Sequence, residues 1–239
     1  MNSNKIIKTS TPPLGAVVEY FEKLFDQGYD RIIHFTISSK LSSMYSLFST
    51  VSANYFDNKV VVIDSYALST IMLSHVFYAY DAIQNNVPID DIVKEIEERK
   101  KNTTVSFVPK NLTALKNGGR ISPAIAAIGN TIGLKPVILL KDGELVKDSM
   151  TTSVKKAFSN AFNSLIEKFP LDNYDYALVD FFAEENILNT IYERISASVG
   201  KENLIRGFLP INVCAHCGPG TIGLVVSPKI NGKSLTSFI

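Results

Sequence analysis

Apolar residues recur at three- and four-residue intervals through Leu14, Val17, Val18, Phe21, Leu24 and Phe25, and Gly28 then offers a stop. That spacing predicts an amphipathic helix. A β-branched and aromatic run from Arg31 to Ile37 reads as a strand. Helical spacing follows at Tyr45, Leu47, Phe48, Val51 and Tyr55, and Val60–Ile63 reads as a second strand. Helices over Ser69–Gln84 and Asp90–Lys101 and a strand over Thr104–Val108 continue the alternation, as expected for helices layered on a parallel sheet.

The pattern changes near Asn111. A short helix there is broken by Gly118-Gly119, and Ile125-Ala126-Ala127-Ile128 reads as buried helix. Pro136–Leu140 and Glu144–Lys147 flank Asp142-Gly143, a pair suited to the positive φ angles of a tight hairpin turn. Helices over Ser153–Phe169 and Glu184–Val199 enclose a strand at Tyr176–Phe181, and strands at Ile211–Ala215 and Thr221–Val226 close the chain. The fold class expected is α/β with two domains. Residues 1–110 form a layered parallel-sheet domain, and residues 111–239 form a smaller α+β domain containing an antiparallel hairpin.

Composition narrows the function classes. With 24 Lys+Arg against 23 Asp+Glu, no broad field draws the chain to nucleic acid or an anionic membrane. The start, Met1 to Lys5, lacks the apolar stretch of a secretory signal, and no run is long and apolar enough for a membrane span. The 2 cysteines, Cys214 and Cys217, are too close together to staple a secreted fold, so the expected location is the cytoplasm.

Four polar clusters carry candidate chemistry. Thr9-Ser10-Thr11-Pro12-Pro13 precedes the first helix, where hydroxyls either cap it or meet an anion. Ser38-Ser39-Lys40-Leu41-Ser42-Ser43 lies between a strand and a helix, the usual location of ligand groups in α/β sheets. Its hydroxyls would bind a carboxylate without a buried cation, and it has no glycine for a phosphate loop or a nucleophile elbow. In Gly118-Gly119-Arg120-Ile121-Ser122, one glycine serves as a helix cap and the second marks a demanding loop. Arg120 is expected to pair with an acid between the domains. In Cys214-Ala215-His216-Cys217-Gly218-Pro219-Gly220, strand alternation would put His216 on a face with Cys214 and away from Cys217, which argues against zinc and against a Cys–His nucleophile. No metal or cofactor is expected.

Six pieces in order resemble the DegV family of bacterial fatty-acid-binding proteins. They are Thr9-Ser10-x-Pro12, Ile37-Ser38-Ser39-x-Leu41-Ser42, Val62-Ile63-Asp64-Ser65, Gly118–Ser122, Lys135-Pro136 and His216-x-Gly218-Pro219-Gly220. The resemblance implies a long-chain fatty acid held between two domains, its carboxylate bound by Thr9 and Ser42 with Ser39 and His216 nearby. It also implies a separate fatty acid kinase that receives the bound acid and makes acyl phosphate. Ser10, Gly118, Gly119 and Arg120 are further loop candidates. Ile125, Ala126, Ile128, Ile132 and Leu134 are candidates for the wall of the tail cavity or for plain core. Two departures stand out: Ser43-Met44-Tyr45 replaces the family's Gly-Thr-Tyr, and the family's upstream strand ending in Asp-Ser has no counterpart before Thr9.

The leading expectation is a carrier, monomeric when alone, with no chemistry of its own. Its alternatives are a serine hydrolase or acyltransferase using Ser42 or Ser39 with His216, and a partner subunit that binds no lipid.

Overall fold

The computed structural model describes residues 7–109, 112–123, 125 and 133–239. In chain order the elements begin α1 (Leu14–Asp26), β1 (Ile32–Thr36), α2 (Met44–Tyr55), β2 (Val60–Asp64), α3 (Ser69–Gln84), α4 (Ile89–Lys101), β3 (Thr104–Val108) and α5 (Thr113–Gly118). They continue β4 (Lys135–Lys141), β5 (Glu144–Thr151), α6 (Val154–Lys168), β6 (Tyr174–Phe181), α7 (Glu185–Val199), β7 (Leu204–Phe208), α8 (Ile211–Cys217) and β8 (Thr221–Pro228). Periodicity located most of these. The hairpin turn is as expected, with Asp142 at φ 50 and Gly143 at φ 79. Among the described residues no helix is long and apolar enough to cross a membrane.

Two sheets result. β1 and β2 form a parallel pair, and the other strands form a six-stranded mixed sheet in the order β5-β4-β3-β8-β6-β7. The sequence reading needs correction here. β3 does not extend the parallel pair but lies inside the second sheet, antiparallel to both β4 and β8. The second sheet is therefore the larger one. A strand buried along its whole length has the same local pattern in either sheet, and its neighbours are chosen by tertiary packing.

Two further differences concern the C-terminal third. Ile211–Ala215 is not a strand but the start of α8, which opens after Pro210. Its β-branched Ile and Val suggested a strand, whereas a proline preset near φ −60 favours the first turn of a helix. β7, at Leu204–Phe208, was not foreseen, because Arg206 and Gly207 interrupt its apolar run. Residues 110 and 111, where the domain division was drawn, and Ala126, Ile128 and Ile132 lie outside the described residues.

Alternation along the central strands sorts the core into two layers. Tyr176, Leu178, Ile222, Leu224 and Val226 face α6 and α7. Val105, Phe107, Ala177, Val179 and Val225 face the opposite way, toward Leu41, Ala67 and Ile71 from the first half of the chain. Polar clasps join the halves around this second layer. Ser38 Oγ donates to the Gly143 carbonyl at 2.7 Å, Arg120 Nε to Leu41 O at 3.0 Å and Arg99 Nη2 to Pro228 O at 2.7 Å.

Candidate functional site

A cavity of about 380 Å³ opens between the two sheets. Its floor is the second face of the central sheet: Val105 and Phe107 of β3, Val179 of β6, and Gly223 and Val225 of β8. Gly223 stands in register with Phe107 on one side and Val179 on the other, so the middle of the floor has no side chain. The roof comes from Leu68 and Met72 around the start of α3, Met44 at the start of α2 and Leu145 of the hairpin. Walls of this kind favour an apolar ligand, with about 0.8 kcal/mol gained for each methylene buried.

Polar groups gather in the same lining: Thr9, Ser10, Ser42, Arg120, Asn212 and His216. Thr9 does not cap α1, because Pro13 holds the N-cap position with no side-chain hydrogen bond. Instead Thr9 Oγ1 lies 2.7 Å from His216 Nε2, a bond that ties the segment before α1 to α8. Among the described residues the Ser42 hydroxyl accepts one long bond, from the Met44 amide at 3.4 Å, and its proton is free to donate.

His216 is positioned by helix geometry that the strand reading could not supply. On α8, His216 and Asn212 are one turn apart and line the cavity, Cys217 is buried at its wall, and Cys214 is buried outside the lining. Nδ1 of His216 is buried and has no hydrogen-bond partner among the described residues. It lies against Gly118, where an added Cβ would come within 2.5 Å of it. Burial, and secondly the charge of Arg120, push the His216 pKa down, so the ring is neutral at neutral pH.

The paired glycines therefore have different jobs. Gly119 supplies the left-handed turn after α5, at φ 70, with open space where a Cβ would stand. Gly118 makes room for the imidazole. Arg120 does not meet an acid in the contacts it makes here. It donates to the carbonyls of Leu41 and Gly118 while lining the cavity. A guanidinium thus shares the cavity lining with the hydroxyls.

Other sequence candidates fall elsewhere. Ser39 is exposed, and its amide donates to Asp64 Oδ1 at 3.0 Å outside the cavity lining. Ile125 is buried in the core with Leu112, Leu115 and Ile121, and neither it nor Leu134 lines the cavity. Ile128 lies outside the described residues. Sequence reasoning missed Gly223, Asn212 and His34, all of which line the cavity. Only Gly223 gave a signal, as an isolated glycine inside a strand pattern marks close approach by something else.

Among the described residues no nucleophile, base and orienting group are assembled together. His216 Nε2 is engaged by Thr9 rather than by Ser42, its Nδ1 meets no orienting acceptor, and among the described residues no Asp or Glu lines the cavity. The cysteines do not offer a nucleophile. The Cys214 thiol donates to Leu209 O, and burial pushes its pKa up to about 12, with Cys217 raised as well. Among the described residues no group of His, Cys, Asp or Glu is arranged to hold a metal ion.

A mostly apolar cavity between two sheets, with hydroxyls, a guanidinium and imidazoles in its lining, marks this as an α/β protein with an internal pocket. The chain belongs to the DegV family, whose model, described as "Uncharacterised protein, DegV family", matches residues 1–229. Protein DegV of Bacillus subtilis is 30% identical over 227 residues, covering 92% of this chain and 79% of that protein. The crystal structure of DegV from Bacillus subtilis, described as a fatty acid binding protein, superposes with a TM-score of 0.78 at 27% identity, over 93% of this chain and 79% of that one. A fatty acid binding DegV family protein from Streptococcus agalactiae shares the fold with a TM-score of 0.86 at 22% identity, over 95% of this chain and 81% of that one.

Proposed function

We propose that this chain binds a long-chain fatty acid, with the acyl tail on the apolar floor and the carboxylate at Thr9, Ser42, Arg120 and His216. The observation that carries this reading is the meeting of those four side chains in the lining of one apolar cavity. A neutral His216 that donates its Nε2–H to Thr9 Oγ1 leaves the Thr9 proton, like that of Ser42, free to donate to a carboxylate, and Arg120 supplies the compensating charge. Burial of the tail dominates affinity, while the hydroxyls fix which end is presented. The protein acts as a carrier, monomeric by itself, that hands the carboxylate to a fatty acid kinase for acyl phosphate formation. The family relation and the names of the relatives support fatty acid binding, and the bond that ties His216 Nε2 to Thr9 rather than to Ser42 favours a binding role.

Native mass spectrometry of the purified protein, followed by uptake of added oleate or palmitate, tests the reading. One fatty acid per chain is expected, with binding weakened about tenfold or more in the Thr9→Ala/Ser42→Ala double variant. A folded protein that neither retains nor takes up a fatty acid would sink it.

A further inference from the structure

Among the polar cavity residues that the carboxylate site leaves unused is an imidazole. His34, in the middle of β1, lines the cavity with Phe35, Thr36, Ile37 and Met44, and the Thr36 hydroxyl is bonded to the Ile63 carbonyl. Its ring lies nearly flat on Phe48, with centroids 4.1 Å apart at 7°, and Phe21 meets it edge-on at 5.4 Å. That aromatic seat fixes the orientation of the imidazole. No hydrogen bond reaches its nitrogens from the described residues. Burial draws its pKa down to about 4, so the ring is uncharged at neutral pH.

An uncharged imidazole presents one N–H donor and one lone pair. Its apolar neighbours in the lining, Phe35 and Met44, put an acyl chain seated in the cavity within reach of the ring. A plain methylene chain seated there excludes water from both nitrogens and gives nothing back. A carbon–carbon double bond satisfies neither nitrogen, and a second carboxylate calls for a protonated ring. A hydroxyl is both donor and acceptor, so it pairs with whichever ring nitrogen faces the chain, in either tautomer.

We infer that His34 reads a hydroxyl on the acyl chain, making a hydroxylated long-chain fatty acid the preferred ligand. This rests on the carrier reading above and specifies its ligand class. The test is competition for the full-length protein between stearic acid and a panel of hydroxystearic acids with the hydroxyl moved from carbon 6 to carbon 12, read by displacement of a fluorescent fatty acid and by native mass spectrometry. At least one positional isomer is expected to bind about three- to tenfold more tightly than stearic acid. The preference should fall to about unity in His34→Phe, which keeps the stack, and return in part in His34→Gln, which restores an uncharged donor and acceptor.

If stearic acid binds but no hydroxystearic acid is preferred, or if the preference survives in His34→Phe, this inference fails and the carrier reading stands. If neither class binds to folded protein, both fail together. The wild-type comparison decides the matter even if a variant does not fold.

Discussion

Gly118→Ala isolates the contact on which the orientation of His216 depends. An ideal Cβ at this position lies 2.5 Å from Nδ1 and 3.3 Å from Cε1 of His216, and real Cβ contacts essentially never fall below 3.0 Å. The ring must retreat by at least half an ångström, or α5 must yield. The bond between Nε2 and Thr9 Oγ1, 2.7 Å in the glycine protein, is then stretched or lost. A neutral hydrogen bond contributes about 0.5–1.5 kcal/mol, so fatty acid affinity is expected to fall about three- to tenfold. Stability should move the other way or hardly at all. Gly118 is the last residue of α5, and alanine in a helix is favoured over glycine by up to about 1 kcal/mol.

Fluorescent fatty acid displacement, run beside urea unfolding, separates these two effects. The decisive comparison is in the background of His216→Ala, where no ring stands in the way and Gly118→Ala should cost no further affinity. Unchanged affinity in Gly118→Ala, or an equal loss with and without the imidazole, would refute the argument. Gly119→Ala serves as the contrast. Its φ of 70 and the open space around it predict a loss of stability of about 1 kcal/mol without displacement of His216.

Two further outcomes follow from the same geometry. In Gly223→Val, new methyl groups enter the cavity floor between Val105, Phe107 and Val179, so the bound acids should shorten by about two or three methylenes, each worth about 0.8 kcal/mol; native mass spectrometry on a mixture of acids checks this, and an unchanged length distribution would count against the floor assignment. Burial lowers the pKa of His34 to about 4 and of His75 to about 3, both below the ordinary 6.5 of an unfolded histidine. Below pH 6.5 the unfolded chain binds protons that the folded chain refuses. Stability is therefore full above that pH and falls as pH drops toward 4, by about 2 kcal/mol for each ring between pH 7 and pH 5. Urea midpoints measured at those two pH values check the slope, and a pH-independent midpoint would contradict it.

The sequence by itself determined the elements whose apolar period is long and whose ends are marked. α1 is bounded by Pro13 and Gly28, α3 spans Ser69–Gln84, and the hairpin turns at Asp142-Gly143. It also singled out Thr9, Ser42 and His216, through residue types in an ordered set of motifs. Local pattern says which face of a segment is apolar, but it does not say what that face will meet. Tertiary structure decided that β3 joins the larger sheet, that Ile211–Cys217 turns as a helix, and that Thr9 meets His216 across 207 positions of chain. It also decided the meaning of Gly118 and Gly223, whose missing Cβ atoms matter because of side chains brought in from distant parts of the sequence. A hydroxyl that reads as a helix cap and one that reads as a ligand donor are the same in sequence. Packing distinguishes them by fixing which groups lie within hydrogen-bond reach and which lie against an apolar wall.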